Sequence, residues 1–306
     1  MSHPPLLSPD QLAERRRSAR RQRRARRAVA LGTLAVVVGI AIGIGLLDGG
    51  STTSPSGALG GEPDLAATTP KESPKARAAR LDSQAVARTA VRMPYVAVAG
   101  RRTREIALTF DDGPGPYTLR IVRVLRRHRT PATFFQVGFS EHWFTAAERA
   151  EIRDGRFVLA NHTQSHAHLE RLSGEEQAAQ IDQQTAVITS AGGRRPELFR
   201  PPYGTFNRDT VALLQARKML MVLWTIDSQD YLRPGADVIA QRVLSQARPG
   251  AIVLMHDAGG DRSQTIAALP KIIKGLRRKG YKLVTVPRLL RDNPPPLRQP
   301  RPSGMG

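Results

Sequence analysis

The sequence predicts an α/β domain built on a parallel sheet, and three observations support this fold class. From about residue 94 onward, short apolar runs alternate with longer segments of helical periodicity. Repeated strand and helix segments of this kind are typical of parallel sheets. Titratable side chains follow several of the predicted strands, and the carboxyl ends of parallel strands share one rim in a barrel. A closed barrel explains this pattern better than an open sheet, which would gather such residues at one crevice.

The predicted strands and helices alternate along the chain. Strands are expected at 105–110, 132–137, 157–160, 197–200, 220–226, 251–255 and 281–286, and helices at 117–128, 142–153, 173–190, 207–218, 236–247 and 264–279. The start of the third helix is marked by Ser173 and Glu176, which have the spacing of a capping box. We therefore place one α/β domain at residues 94–292.

A membrane anchor is predicted ahead of this domain. Residues 28–47 contain no charge and match the roughly 20 residues that a helix needs to cross the hydrocarbon core. Arginine is dense in the preceding segment, which keeps residues 1–27 in the cytoplasm by the positive-inside rule. No good cleavage site follows the apolar block, so an uncleaved signal anchor is expected. The sequence thus predicts a single-pass protein of the cell membrane with an extracytoplasmic domain.

The remaining segments lack apolar periodicity. Residues 48–93 are rich in Ser, Thr, Pro, Gly and Ala and predict a disordered linker, and residues 293–306 predict a disordered tail. The chain has no cysteine, so disulfides and thiolate metal ligands are excluded. Any metal must therefore be held by nitrogen and oxygen atoms.

The formal net charge of +21 raises the question of the partner. A third of the excess lies in the first 47 residues, where it sets membrane topology. The rest favours weak, salt-dependent contact with anionic envelope polymers or lipid headgroups. We expect no nucleic acid, and no obligate protein partner is evident.

The adjacent carboxylates Asp111 and Asp112, at the end of the first predicted strand, are the most informative feature. Like charges side by side repel, and a divalent cation is the natural offset. His162 and His166 follow the third strand and stand four residues apart, on one face of a helical turn. Together these residues suggest a mononuclear metal site.

Other candidates also follow predicted strands. Arg200 ends the fourth strand, Asp227 and Asp230 follow the fifth, and His256 follows the sixth. Taken singly, each has a plain alternative, such as an ordinary loop, a solvated helix face or a surface ion pair. We expect Trp143 and Trp224 to lie in the core, and His168 to be a bystander rather than a fourth ligand.

Five segments taken in order resemble the polysaccharide deacetylases of the NodB-homology type, carbohydrate esterase family 4, over roughly residues 104–290. They are Thr-Phe-Asp-Asp-Gly at 109–113, His-Thr-x-x-His at 162–166, Arg-Pro-Pro-Tyr at 200–203, Asp-Ser-Gln-Asp-Tyr at 227–231 and Leu-Met-His at 254–256. The resemblance implies a distorted seven-stranded (β/α) barrel and a metal-dependent hydrolase that removes acetyl groups from carbohydrate. Tyr231 departs from the family, since many members carry Trp there.

The resemblance also implies roles for the first half of the site. Asp112, His162 and His166 would bind the metal, which is zinc by ligand type, although cobalt and nickel accept the same ligands. Asp111 would be the general base, paired with Arg200.

The second half of the site would supply the acid and the substrate contacts. His256 would be the general acid, with Asp227 beside it raising its pKa, while Asp230 is left out of the catalytic set. The backbone N–H of Tyr203 would help to bind the oxyanion. The substrate-binding residues would be Pro201, Tyr203, Tyr231 and Leu254.

The expected reaction is deacetylation of N-acetylglucosamine in a cell-envelope polysaccharide. Peptidoglycan is the leading substrate because the predicted anchor holds the domain near the cell's own wall. Chitin oligomers, acetylxylan and N-acetylmuramic acid remain open. The alternative of another class is a catalytically silent carbohydrate-binding protein.

Overall fold

The structure is a computed structural model that describes residues 72–300. Its strands are β1 Tyr95–Val96, β2 Glu105–Asp111, β3 Ala132–Gln136, β4 Phe157–Asn161, β5 Leu198–Phe199, β6 Leu220–Val222, β7 Ile226–Asp227, β8 Ile252–His256 and β9 Lys282–Val284. Its helices are α1 Pro74–Arg92, α2 Thr118–Arg127, α3 Gly138–Glu141, α4 Thr145–Arg153, α5 Gly174–Ser190, α6 Arg208–Ala216, α7 Ala236–Gln246, α8 Ser263–Arg278 and α9 Val286–Asp292. Short 3-10 turns lie at Leu169–Arg171, Pro202–Gly204 and Asp230–Leu232.

These strands form one curled sheet in the order β1-β6-β5-β4-β3-β2-β8-β7, with β9 paired to β2. Every pairing between named strands is parallel. The predicted α/β class with a parallel sheet is confirmed, but the described strands form a curled nine-stranded sheet whose order runs from β1 to β7 rather than the predicted closed barrel of seven strands. The carboxyl ends of the strands therefore lie at one end of the sheet, where the candidate residues are expected.

Residues 220–226, predicted as a single strand, form two short strands that pair with different parts of the curled sheet. The first part, β6, pairs with β5, and the second part, β7, pairs with β8. Between them the Leu223 N–H donates to Val96 O at 2.8 Å and the Thr225 N–H donates to Ile252 O at 2.9 Å. The backbone thus changes hydrogen-bond partners within a few residues, which splits the strand that apolar periodicity predicted as continuous.

Side-chain alternation along β2 explains how the sheet positions the site. Ile106, Leu108 and Phe110 belong to the apolar cluster beneath α2 and α8. Successive side chains in a strand point to opposite faces, so Thr109 and Asp111 face the inside of the curl. All of β2 is buried, which fixes this register.

The predicted domain boundaries, 94 and 292, are wrong at both ends. Helix α1 lies inside the predicted linker, and its buried residues Ala85 and Val86 pack in the same cluster as Leu289 of α9. Only one narrow face of this arginine-rich helix is apolar, which is too sparse a pattern to predict it. In the predicted tail, Asn293 is buried and Gln299 Oε1 accepts from the N–H groups of residues 97 and 98 at 2.8 and 2.9 Å.

The predicted anchor at 28–47 and the basic segment 1–27 lie outside the described residues. Within residues 72–300, no helix combines the length and the apolar character that a membrane crossing requires. The helix predicted at 142–153 corresponds to α4, which begins only at Thr145, and the separate short helix α3 before it was not predicted. The end of the strand predicted at 281–286 is the start of α9. The capping box at the start of α5 is confirmed, with Ser173 and Glu176 hydrogen-bonded in both directions.

Three buried glutamates form a cluster that the sequence did not predict. Glu141 of α3 lies with Glu148 and Glu151 of α4, and amide groups of Gln184 and Gln136 donate to Glu141 and Glu151 respectively. Burial raises the pKa of Glu141 to about 9 and also raises the pKa values of the other two. Glu141 is therefore held as a neutral acid at pH 7, and burial disfavours the charged forms of Glu148 and Glu151 as well.

Replacing Glu141 by glutamine should make the protein more stable at alkaline pH. A carboxyl whose pKa is raised by folding holds its proton longer in the folded state, so stability falls as pH rises above its ordinary value. The substitution should remove up to about 1.4 kcal/mol per pH unit from that fall. Urea unfolding of the two proteins across neutral and alkaline pH measures the difference.

Glu175 supplies the matched control, because it is an exposed glutamate at the start of α5. The Glu175→Gln variant should keep the wild-type pH dependence. Equal pH slopes in the wild type and in Glu141→Gln would contradict the neutral-acid interpretation.

Candidate active site

A cavity of about 790 Å³ opens at the carboxyl ends of the strands. Most of the residues predicted for the site line it: Asp111, Asp112, His162, His166, Pro201, Tyr203, Asp227, Tyr231, Leu254 and His256. Arg200 lies beneath the floor, fully buried. The topology therefore brings together residues that are as much as 145 positions apart in sequence.

Asp112, His162 and His166 converge at one point of the cavity. Asp112 Oδ1 is 3.2 Å from His166 Nε2 and 3.6 Å from His162 Nε2. One ligand atom from each residue lies within 4.8 Å of the other two. Asp112 Oδ1 is buried and has no hydrogen-bond donor among the described residues, which is costly unless a cation occupies the space before it. Two imidazoles and one carboxylate are suitable ligands for zinc or a similar divalent ion.

The histidine rings are oriented by contacts on their far nitrogens. His162 Nδ1 lies 2.7 Å from the carbonyl oxygen of Arg200, so this nitrogen carries the proton and Nε2 is free to face Asp112. His166 Nδ1 lies 3.2 Å from the Tyr203 hydroxyl. Such contacts on the second nitrogen are typical of metal-binding histidines.

The histidines do not lie on a helical turn, contrary to the prediction from their spacing. They follow β4 in a loop, where Thr163 and His166 have φ values of 71° and 57°. Asp112 and Tyr203, with φ values of 74° and 60°, are also left-handed. Non-glycine residues in this region are uncommon and strained, and they cluster at functional sites. The loop backbone, not helical periodicity, brings the ligand atoms together.

Asp111 and Arg200 form the predicted pair beneath the cavity. Arg200 Nη1 donates to Asp111 Oδ1 at 2.6 Å, and both side chains are buried. The same guanidinium donates to Val222 O at 3.0 Å and to Leu223 O at 3.2 Å. It also lies over the ring of Phe135, 4.0 Å from the centroid. The second carboxylate oxygen of Asp111 faces the metal-binding residues, 3.8 Å from His162 Nε2.

The predicted partner of His256 is wrong, because Asp230 and not Asp227 contacts the imidazole. His256 Nδ1 is 2.7 Å from Asp230 Oδ1, and the His256 N–H donates to Asp230 Oδ2 at 2.9 Å. Asp227 Oδ2 instead accepts from the Tyr231 hydroxyl at 3.0 Å. Gln229, with a φ of 52°, turns the chain back so that Asp230 points under β8. Spacing alone could not choose between two aspartates three residues apart.

The electrostatics of His256 suit a proton donor. Burial by itself lowers the pKa of this imidazole. The charge and hydrogen bond of Asp230, together with the charges of Asp112 and Asp111, outweigh burial and raise the pKa to about 9. His256 is therefore protonated at neutral pH, while its Nε2 edge lies at the cavity.

Replacing Asp230 by asparagine should shift the alkaline limit of activity to lower pH. Activity that needs protonated His256 is lost as pH rises through the pKa of His256, and removal of the Asp230 charge lowers that pKa. The shift should be about one to two pH units, the size typical for a carboxylate within 4–6 Å. A pH profile of kcat/KM measures it.

Asp227→Asn is the matched control, because Asp227 lines the same cavity but contacts Tyr231 rather than His256. It should shift the alkaline limit by clearly less than Asp230→Asn does, because Asp227 affects His256 only through its charge and not through a hydrogen bond. An equal shift in both variants would contradict the assignment of Asp230.

The aromatic side chains differ from their prediction. Trp143 is 60% exposed and packs edge-on against Phe139, itself 63% exposed, so Trp143 is a surface residue rather than part of the core. Trp224 is buried but also lines the cavity. His168 is outside the metal-binding group, and its ring stacks on Tyr203 at 3.8 Å.

Several cavity residues were missed by sequence reasoning. Phe139 lies on α3 and Phe144 follows this short helix, whereas Ala258, Gly259 and Arg262 lie in the loop after β8. No charge or spacing signal distinguishes them from ordinary loop residues. Only their position after the carboxyl ends of strands could have pointed to the cavity.

The fold and cavity define a class of α/β protein with a histidine and aspartate site at the carboxyl ends of a curled parallel sheet. A family model described as polysaccharide deacetylase matches residues 99–222. The chain is 38% identical over 213 residues to a chitooligosaccharide deacetylase of Bradyrhizobium sp., covering 65% of this chain and 96% of that protein. The chain belongs to the polysaccharide deacetylase family, which confirms the resemblance.

Other relatives act on different polymers or have no activity. A peptidoglycan-N-acetylglucosamine deacetylase of Bacillus cereus is 38% identical over 189 residues, covering 61% of this chain and 88% of that protein. The crystal structure of the Bc1960 peptidoglycan N-acetylglucosamine deacetylase has a TM-score of 0.62 at 32% identity, covering 64% of this chain and 92% of that one. A family 4 pseudoenzyme from Bacillus anthracis, BA3943, has a TM-score of 0.58 at 32% identity, covering 64% of this chain and 69% of that one. Membership of the family therefore establishes the fold of this chain, whereas its activity depends on the residues of the site.

Proposed function

We propose that this protein is an active, metal-dependent deacetylase that removes N-acetyl groups from N-acetylglucosamine in a cell-envelope polysaccharide, with peptidoglycan as its substrate. One observation carries the proposal. The same cavity holds a candidate metal-binding group, a candidate base in Asp111 and a candidate acid in His256. A protein that only binds carbohydrate needs neither base nor acid.

Asp112, His162 and His166 would hold the metal, and we propose zinc. When bound, a divalent cation supplies Lewis acidity, which makes water a better nucleophile and polarises the acetyl carbonyl. Asp111 would accept the proton of the attacking water, and Arg200 would hold the Asp111 carboxylate in position through their 2.6 Å contact.

The other side of the cavity would serve the leaving group and the acetyl methyl. His256, held protonated by Asp230, would donate a proton to the departing amine. The backbone N–H of Tyr203 would help to bind the developing oxyanion, as such donors do in other hydrolases. Leu254 would contact the methyl group, with Pro201 and Tyr231 along the sugar.

The choice of peptidoglycan rests on the sequence ahead of the domain and on the similarity to peptidoglycan deacetylases. An uncleaved anchor at 28–47 would place the domain outside the cytoplasm and beside the wall. Chitooligosaccharide is the second candidate substrate, because the Bradyrhizobium relative carries that name and matches this chain equally well in identity.

Acetate release tests the proposal. The purified full chain is incubated with peptidoglycan, chitooligosaccharides and acetylxylan, with and without chelator, and zinc, cobalt or nickel is then added back. We expect most acetate from peptidoglycan, loss with chelator and recovery with zinc. Binding to the glycans without any acetate release would favour the carbohydrate-binding alternative instead.

A further inference from the structure

The end of the sheet opposite the cavity is strongly basic. Because all the strands are parallel, the loops that lead into them lie at their amino ends, away from the catalytic residues. The loops at 101–104, 127–131, 153–156, 191–197, 217–219 and 277–281 lead into β2, β3, β4, β5, β6 and β9. Each contains at least one exposed Arg or Lys. We call this surface the amino-end face.

Acidic residues do little to neutralise the amino-end face. Its loops contain only Asp154 and Glu197. The Asp154 carboxylate is already paired with Arg126 at 2.8 Å and with Arg156 at 2.7 Å. Helices α2 and α8, whose carboxyl-terminal ends reach this face, contain no acidic residue at all. The face therefore presents an excess of exposed positive charge.

The opposite end is more acidic, although the exposed Arg120, Arg208 and Arg233 also lie there. The carboxyl-end loops and strand ends carry the aspartates of the site, including Asp111, Asp112, Asp227 and Asp230. The domain is therefore electrically polar along the strand direction. A planar anionic surface would attract the amino-end face and leave the cavity mouth pointing away from it.

The chain enters the described domain at the amino-end face. Helix α1 begins at Pro74. The ammonium group of Lys75 lies so close to Gly155 that a Cβ atom added to this glycine would be only 2.6 Å from Lys75 Nζ. Gly155 belongs to the loop that leads into β4 and directly follows Asp154. The segment containing the uncharged apolar block at 28–47 is thus joined to the domain at its basic end.

We propose that the amino-end face binds the anionic headgroups of a phospholipid bilayer and so holds the catalytic cavity facing away from the membrane. The basic loops surround one end of the sheet rather than following a single groove. This arrangement fits a flat, extended array of phosphates better than one linear polymer. The proposal concerns orientation on lipid and does not depend on the deacetylase reaction.

Vesicle binding by residues 72–306 tests the proposal without the apolar block. This part is expected to fold alone, since all three of its apolar clusters lie between residues 85 and 290, and the Bradyrhizobium relative is matched over 96% of its length. The probes are vesicles of phosphatidylglycerol mixed with phosphatidylcholine, and vesicles of phosphatidylcholine alone. We expect binding to the first only, and its loss at about 1 M salt, where the screening length is about 3 Å.

A pair of charge-reversal variants locates the binding surface. The face variant combines Arg102→Glu, Arg195→Glu and Arg278→Glu, which are exposed positions in three different amino-end loops. The control variant combines Arg120→Glu, Arg208→Glu and Arg233→Glu, which are exposed positions on the cavity side of the domain. Both change the charge equally. The face variant should lose vesicle affinity by at least about tenfold, and the control by less than about twofold.

Thermal unfolding shows whether the variants are folded, and none of these arginines lines the cavity. Equal loss of vesicle binding in both variants, or no binding of the wild type to phosphatidylglycerol vesicles at low salt, would overturn the proposal. Soluble polyphosphate is the competitor that separates the two anionic partners. The contradicting outcome is that polyphosphate displaces the protein from the vesicles when its phosphate concentration is still below the concentration of lipid phosphate. In that case the amino-end face binds a phosphate polymer and the lipid assignment is wrong.

Discussion

Replacing His166 by alanine should reduce acetate release by about a thousandfold or more. Loss of Nε2 leaves Asp112 Oδ1 with one imidazole, at 3.6 Å, and two protein ligands hold a divalent ion poorly. The expected loss corresponds to the several kcal/mol that a Lewis acid contributes to such reactions. Metal content by mass spectrometry and acetate release, measured on the same preparation, should fall together.

His168→Ala is the matched control for this prediction. It removes the same side chain two residues further along, where the ring stacks on Tyr203 but does not face Asp112. Metal content should stay at the wild-type level, and any loss of activity should be small. A His166→Ala protein that keeps both metal and activity would rule out the proposed metal-binding group.

Replacing Asp111 by asparagine should reduce acetate release by about 10² to 10⁴, the contribution of a general base. The amide oxygen can still accept from Arg200, so the buried guanidinium keeps a partner and the domain should remain folded. Asp112, His162 and His166 are untouched, so metal content should not change. Loss of activity with full metal content is the result that distinguishes a base from a ligand.

Thermal unfolding serves as the control for Asp111→Asn, because a large drop in stability would make the loss of activity uninformative. If metal content fell as far as in His166→Ala, Asp111 would be a ligand and the assignment of the two adjacent aspartates would have to be reversed.

The sequence predicted which residues line the cavity better than it predicted which residues they contact. Paired aspartates after an apolar run and two histidines with metal-binding spacing identified the cavity, because strand ends in a parallel sheet converge. The partner of His256 was misassigned, since the left-handed Gln229 decides which aspartate turns back, and no sequence rule predicts that conformation. The cluster of Glu141, Glu148 and Glu151 was missed for a related reason. Glutamate is normally exposed, and only the packing of α3 and α4 buries it.

The predicted domain boundaries were wrong because few apolar side chains are buried near either end of the domain. Helix α1 buries only Ala85, Val86 and Thr89, so its sequence resembles that of an exposed, arginine-rich linker. In the predicted tail, the contacts of Asn293 and Gln299 are made by amide groups rather than by apolar side chains. Periodicity detects apolar faces and does not detect segments that are held mainly by hydrogen bonds.

Arg200 joins the chemistry of the cavity to the integrity of the sheet. Its guanidinium holds Asp111 and also caps the carbonyls of Val222 and Leu223, where the backbone leaves one ladder and joins the next. That crossing joins β6, which pairs with β5, to β7, which pairs with β8. Substitution of Arg200 would remove the buried donor from both carbonyls and from the Asp111 carboxylate, so the residue that positions the candidate base also stabilises this crossing. A change at this position is therefore expected to lower catalytic activity and the free energy of unfolding together.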